Sequence, residues 1–177
     1  MPELTPAIFL DRDGTLIEDT GYVARAEDVR VYPGTPEALT ALKARGFRTV
    51  IVTNQSGIAR GLFSEADYHA VHARLMELLG PGLIDAAYFC ADHPGCATDR
   101  RKPRAGMLLE AARDLGLDLP RSWMIGDRPG DLEAGRRAGC RTILVRTGEG
   151  ARASADLADH VAADFASAAA YLLAAGA

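Results

Sequence analysis

Short β-branched apolar runs alternate with amphipathic stretches from one end of the chain to the other. The apolar runs are AIFLD (7–11), TVIVTN (49–54), AAYFC (86–90), WMIGD (123–127) and TILVRT (142–147), with HVAAD (160–164) as a sixth candidate. Between them, the segments near 34–45, 64–79, 104–116 and 131–138 repeat apolar residues every three or four positions, which is the helical period. Gly46, Gly116 and Gly139 stand where helix C-caps are expected, and Pro103 suits the first position of the helix that follows it. The end of the chain, ASAAAYLLAAGA, predicts a closing helix, because Phe165, Tyr171, Leu172 and Leu173 give it a face to bury. Such alternation predicts an α/β fold: a doubly wound, mostly parallel, Rossmann-like sheet with helices on both faces, joined by right-handed crossovers. No internal repeat is visible. Two stretches, roughly 14–33 and 91–103, lack clear periodicity, and irregular segments of that length inside a compact domain are often functional.

Length and composition narrow the class. A chain of 177 residues suits one domain, taken as 1–177, with a sizeable core. Apolar residues at 48% and charged residues at 25% are the profile of a soluble globular protein. A net charge of −4 argues against nucleic acid or a membrane surface as partner, and no apolar run approaches the roughly 18 residues that span a bilayer. The start, MPELTPAIFLDRDG, has neither a basic opening nor a long apolar stretch, so a secretion signal is not expected. Cys90, Cys96 and Cys140 are too few, and odd in number, for a disulfide scaffold. A cytoplasmic monomer is the expectation.

Polar residues gather at three strand ends. In open α/β sheets, ligands bind beyond the carboxyl ends of the strands, where the strand order reverses. AIFL runs into Asp11-Arg12-Asp13-Gly14-Thr15, and two carboxylates one residue apart before a glycine do not read as core; the plain alternative is a solvated turn. The second run delivers Thr53-Asn54-Gln55-Ser56-Gly57, a hydroxyl, an amide and turn N–H groups suited to phosphate oxygens, or else an ordinary polar loop. The fourth ends in Gly126-Asp127, with Asp131 four residues on, placed equally well to favour a helix start or to serve a site. Arg101-Lys102-Pro103 would hold Lys102 near a helix start, although Arg100 to Arg104 also reads as a solvated basic patch. Together these residues describe phosphoryl transfer. One carboxylate attacks phosphorus, a second acid protonates the leaving oxygen, a hard cation such as Mg²⁺ neutralises charge, and a lysine and a hydroxyl steady the transferred group.

FLDRDGTL, the hydroxyl after the second strand, the later lysine and GDxxxD resemble the four motifs of the haloacid dehalogenase superfamily, in order from Asp11 to Asp131. More closely, LDRDGTL, DTGYV (19–23), TNQSGIARG (53–61), RKP (101–103) and MIGD (124–127) resemble the D-glycero-D-manno-heptose 1,7-bisphosphate 7-phosphatases, over nearly the whole chain. Those enzymes act in making the heptose of bacterial lipopolysaccharide. The resemblance implies Asp11 as nucleophile and Asp13 as proton donor. It implies Mg²⁺ held by the Asp11 carboxylate, the Asp13 backbone carbonyl and Asp127, with Thr53 and Lys102 steadying the phosphoryl group. It further implies substrate contacts from Asp19, Thr20, Gly21 and Tyr22, from Asn54, Gln55 and Ser56, and from Arg101 and Arg128. Relatives usually carry a structural zinc loop before R-K-P. Here Asp92, Thr98 and Arg100 replace three of its ligands, and Cys90, His93 and Cys96 would be one short of a closed site, so zinc is not expected and Cys90 reads as a buried thiol. The gaps between motifs leave no room for a large cap domain. Specificity then falls to loops near 17–30, 55–64 and 91–104, with Arg60, Arg101, Arg104 and Arg128 as candidates for the second phosphate of a bisphosphate. A histidinol-phosphate phosphatase shares the motifs, and a phospho-accepting receiver domain shares the doubly wound architecture. A degenerate binding protein fits less well, since every catalytic position is filled.

Overall fold

Six strands form one sheet in the computed structural model, which describes residues 4–176. Residues 1–3 of the amino-terminal stretch and residue 177 of the single domain read over 1–177 lie outside the described residues. The strands are β1 (Ala7–Leu10), β2 (Arg48–Asn54), β3 (Ala86–Cys90), β4 (Trp123–Gly126), β5 (Arg141–Val145) and β6 (His160–Ala162). They lie in the order β3-β2-β1-β4-β5-β6, and every neighbouring pair is parallel. The sheet is therefore wholly parallel, and HVAAD does contribute its sixth strand. The order turns back at β1, because the chain leaves β3 at one edge and returns as β4 on the other side of β1. That leaves a crevice between the carboxyl ends of β1 and β4.

Among the described residues, five α-helices cover the sheet: α1 (Thr35–Ala44), α2 (Glu65–Leu79), α3 (Gly106–Leu115), α4 (Pro129–Ala138) and α5 (Phe165–Ala175). Successive strand residues point to opposite faces, so each strand feeds two cores. Ile8 and Leu10 of β1 meet Leu39 and Leu42 of α1, Val71 and Leu75 of α2, and Phe165 and Leu172 of α5. Ala7 and Phe9 face the other way, onto Met107, Leu108 and Ala111 of α3 and Ala134 of α4. The helix ends follow local chemistry. Ser64 caps α2 by accepting the Asp67 N–H at 3.1 Å, while its own N–H donates to the Asp67 carboxylate at 2.7 Å. Gly116 and Gly139 end α3 and α4 in the left-handed conformation.

Pro103 departs from expectation. It does not open a helix: the Lys102–Pro103 peptide is cis, the Arg104 N–H closes a turn onto the Arg101 carbonyl at 2.9 Å, and α3 begins three residues later at Gly106. Residues 11–34 form an irregular excursion between β1 and α1 that still buries Leu16, Ile17, Val23 and Val29 in the first core. Among the described residues, no large cap interrupts the sheet, and no helix is long and apolar enough to cross a membrane.

Candidate active site

A cleft of about 490 Å³ opens over the carboxyl ends of β1, β2 and β4. Its wall includes Asp11 and Asp13 after β1, Thr53 to Ser56 at the end of β2, Arg101 and Lys102, and Arg128 and Asp131 around the start of α4. The volume lies in the range of small-molecule sites. Asp19, Gly21 and Tyr22 line it from the excursion after β1, whereas Thr20 is exposed and lies outside the lining.

Asp11, Asp127 and Asp131 converge on the floor, each offering an oxygen within 4.8 Å of the others. Lys102 ties two of the three together. Its Nζ donates to Asp11 Oδ1 and to the Val52 carbonyl at 2.7 Å each, and pairs with Asp131 Oδ1 at 2.7 Å. Burial alone would lower the lysine pKa, but the two carboxylates outweigh it and raise it, so the ammonium stays charged. One cation does not balance three buried carboxylates. Burial, then Asp11 and Asp131, push the Asp127 carboxyl well above its ordinary range, and burial followed by Asp11 pushes up Asp131. Asp127 is fully buried, and its Oδ1 has no hydrogen-bond partner among the described residues. Its Oδ2 accepts the Glu149 N–H at 2.8 Å. An unpaired carboxylate oxygen among hard oxygen donors fits a divalent cation such as Mg²⁺.

Gly14 (φ 87) and Gly148 (φ 54) close over Asp127, and a Cβ at either would collide with its Oδ2. Thr147 Oγ1 donates to the Gly14 carbonyl at 2.6 Å, tying the loop after β5 to the loop after β1. Close backbone approach thus demands glycine at both positions.

Asp13 is held by a separate set of partners. Arg12 NH2 donates to both of its oxygens at 3.1 and 3.0 Å, and Gln55 Nε2 donates to its Oδ2 at 2.8 Å. The same Gln55 nitrogen reaches Thr53 Oγ1 at 2.8 Å, so both its hydrogens are used inside the protein. Burial raises the Asp13 pKa against the pull of Arg12, with Asp11 adding to the rise, the direction that favours a proton donor. The expectation that the carboxylates Asp11 and Asp13 are not core residues is corrected in part: Asp11 is buried, whereas Asp13 stays half-buried, and the Arg12 between them is buried as well. Asp11 is 6% exposed and Arg12 is 0% exposed, because Lys102 and Asp13 supply the opposite charges that burial requires.

Of the four arginines considered for a second phosphate, Arg101 and Arg128 line the cleft; Arg60 and Arg104 do not. Arg104 is turned to the Ala97 carbonyl at 2.6 Å. Arg128 NH2 bridges Asp19 Oδ2 at 2.8 Å and Glu149 Oε1 at 3.2 Å, so three separate loops meet at the rim. Asn54 exchanges hydrogen bonds with the Lys102 backbone at 2.9 and 3.1 Å, which fixes the RKP turn against β2. In the loop before that turn, Cys90 is buried and Cys96 exposed, and His93 Nδ1 accepts the Gly95 N–H at 3.1 Å.

Sequence reasoning left four contributors out of the site. Asp131 was legible in the GDxxxD spacing, and it serves both readings offered for it, bonding the Arg128 N–H at 3.0 Å as well as joining the carboxylates. Gly148 and Glu149 had only the weak signal of following a strand. Arg12 had the signal of a cation between two aspartates.

Residues 8–80 match the family described as haloacid dehalogenase-like hydrolase, and residues 99–168 match a second one described as HAD-hydrolase-like. A D-glycero-D-manno-heptose-1,7-bisphosphate 7-phosphatase of Thermosynechococcus vestitus is 43% identical, over 92% of this chain and 93% of its own. The D-glycero-beta-D-manno-heptose-1,7-bisphosphate 7-phosphatase of Escherichia coli K12 is 41% identical, over 84% of this chain and 83% of its own. Among solved structures, the D,D-heptose 1,7-bisphosphate phosphatase of B. bronchiseptica, complexed with magnesium and phosphate, superposes with a TM-score of 0.89 at 35% identity. That match covers 96% of this chain and 99% of the other. With motif order, sheet topology and two thirds or more of the length in agreement, the chain belongs to the haloacid dehalogenase-like hydrolases and, among them, to the D-glycero-D-manno-heptose-1,7-bisphosphate 7-phosphatase family.

Proposed function

We propose that this protein removes the 7-phosphate of D-glycero-D-manno-heptose 1,7-bisphosphate through an aspartyl-phosphate on Asp11. The observation that carries the reading is the convergence of Asp11, Asp127 and Asp131 with Lys102 on the floor of a cleft. Family membership supplies the substrate. An Asp11 oxygen attacks phosphorus, and the P–O bond to the sugar breaks as Asp13 passes its proton to the leaving alkoxide. Asp13, now ionised, takes a proton from water, whose oxygen attacks the phosphoryl group and releases Asp11. Thr53 and the Lys102 ammonium steady the charge on the transferred group. Mg²⁺, held by Asp11, Asp127 and the Asp13 backbone carbonyl, would neutralise charge between the nucleophile and the phosphate.

Asp19, Thr20, Gly21, Tyr22, Asn54, Gln55 and Ser56 form the surrounding loops, and Arg101 and Arg128 meet the sugar and its second phosphate. Of these, Gln55 acts through its carbonyl oxygen or backbone, since its amide hydrogens are taken. The same reading makes the protein a cytoplasmic, single-domain monomer over 1–177 that supplies heptose for lipopolysaccharide. The test is phosphate release, with and without Mg²⁺, from the heptose bisphosphate, histidinol phosphate and simple sugar monophosphates. The heptose bisphosphate is expected to have the highest kcat/KM. A preference for histidinol phosphate would overturn the assignment.

A further inference from the structure

The loop between β3 and the RKP turn is closed by hydrogen bonds that end on Arg101. Thr98 donates to Asp92 Oδ2 twice, from its N–H at 2.7 Å and from its hydroxyl at 2.6 Å. These bonds, the hydroxyl's first, hold the Asp92 carboxyl below its usual range. The staple joins the two points that grip Arg101. The Arg101 N–H donates to the Thr98 carbonyl at 3.2 Å, and its NH1 donates to the Asp92 carbonyl at 3.0 Å. Backbone and guanidinium of one residue are thus fastened to the two ends of a single seven-residue loop, 92–98. Nearby, the Arg100 N–H reaches Thr98 Oγ1 at 3.4 Å, and the Gly106 N–H reaches the Asp99 carbonyl at 2.9 Å. Arg101 is half-buried and lines the cleft beside Lys102, while Asp92 and Thr98 are absent from its lining.

A long guanidinium side chain loses considerable rotamer freedom when it is fixed on a ligand. Fixing it beforehand removes part of that cost, and a displacement of about 1 Å is enough to weaken a directed contact. We propose that Asp92 and Thr98 are positioning residues that hold the Arg101 guanidinium at the cleft wall and so set the preference for a bisphosphate over a monophosphate. The proposal rests on the reading that Arg101 meets the substrate beyond the transferred phosphate.

The test compares kcat and KM for heptose 1,7-bisphosphate and for p-nitrophenyl phosphate in Asp92→Ala, Thr98→Val, Thr98→Ser, Arg101→Ala and the Asp92→Ala/Arg101→Ala pair. Asp92→Ala and Thr98→Val are expected to raise KM for the bisphosphate by roughly five- to tenfold, the effect of about one net hydrogen bond. They should leave kcat and the aryl phosphate unchanged. Thr98→Ser keeps the hydroxyl and should behave as wild type. Asp92→Ala should add nothing to Arg101→Ala, because the two act through one contact. If Arg101→Ala weakens the bisphosphate while Asp92→Ala and Thr98→Val do not, the staple is refuted and the Arg101 reading stands. If Arg101→Ala affects both substrates equally or neither, that reading fails and the proposal falls with it. Equal losses on both substrates from Asp92→Ala would reduce the loop to general support of the site and overturn the proposal.

Discussion

Lys102 spends its ammonium on two carboxylates and a carbonyl, so the floor of the cleft is organised before any ligand arrives. Asp11 is left with one oxygen free of the lysine, and Asp13 stands apart from it, gripped by Arg12 and Gln55. On the proposed mechanism, this division of labour separates nucleophile from acid by environment, although one residue separates them in the chain. Asp11→Asn is expected to abolish turnover, because the amide cannot attack phosphorus. Asp13→Asn should slow turnover by roughly 10²- to 10⁴-fold, the usual loss for a general acid–base. Steady-state rates of purified variants on the bisphosphate check both, and a wild-type rate in Asp11→Asn would overturn the covalent mechanism. The same geometry explains how three acidic side chains are tolerated inside the protein. Asp11 and Asp131 share the lysine, and Asp127 keeps an unsatisfied oxygen that a cation would complete.

The elements that carry these residues are braced at the opposite edge of the sheet. Asp85, just before β3, accepts from the Thr49 N–H at 2.8 Å, from Lys43 Nζ at 2.7 Å and from Arg48 NH1 at 2.8 Å. Asp159, just before β6, repeats the arrangement on the Thr142 N–H at 2.8 Å and on Arg136 at 2.9 Å. Each carboxylate ties the start of one strand to its neighbour and so helps hold the parallel register. Burial alone would raise the Asp85 pKa, but the bonds from Lys43, Thr49 and Arg48 outweigh it and bring it down to about 2. A folded-state pKa below the unfolded value of 3.8 contributes stability above that value, and the contribution is lost as pH falls towards about 2. Asp85→Asn should therefore lower Tm at neutral pH, and its gap from wild type should close as the pH falls through that window. Thermal melts across the acid range measure it, and a gap independent of pH would show that the charge on Asp85 is not the source of the stability.

At the scale of the molecule, folding and chemistry are separable. Both apolar cores are built mainly from strand and helix residues, with Leu16, Ile17, Val23 and Val29 added by the excursion after β1, and none of the three floor aspartates belongs to either. EDTA is expected to abolish activity and Mg²⁺ to restore it, while circular dichroism in EDTA still reports the folded chain. Added Mg²⁺ should raise Tm, because an ion that binds only the native state stabilises it by mass action. Protein purified without added metal is expected to contain no stoichiometric zinc. Stoichiometric zinc by elemental analysis would overturn that reading of the 90–102 loop.

Alternation of apolar runs and helical periods determined the α/β class and nearly every element, because burial on a strand or a helix face is written in local spacing. The aspartates were legible for the same reason: Asp11 and Asp13 follow one strand, and Asp127 and Asp131 leave another. Pro103 misled, since a proline suits a turn as well as a first helical turn, and only the bond from Arg104 to Arg101 distinguishes them. What lay outside the reach of local pattern was everything joined across the chain. Lys102 meets Asp11 across 91 positions, Thr147 meets Gly14 across 133, and Arg128 meets Asp19 across 109. Those encounters depend on the strand order β3-β2-β1-β4-β5-β6, which brings the ends of β1, β4 and β5 side by side. The chain alone specifies which groups are available; the crossovers of the sheet decide which of them share a buried floor and which, like Arg60 and Arg104, stay outside the cleft.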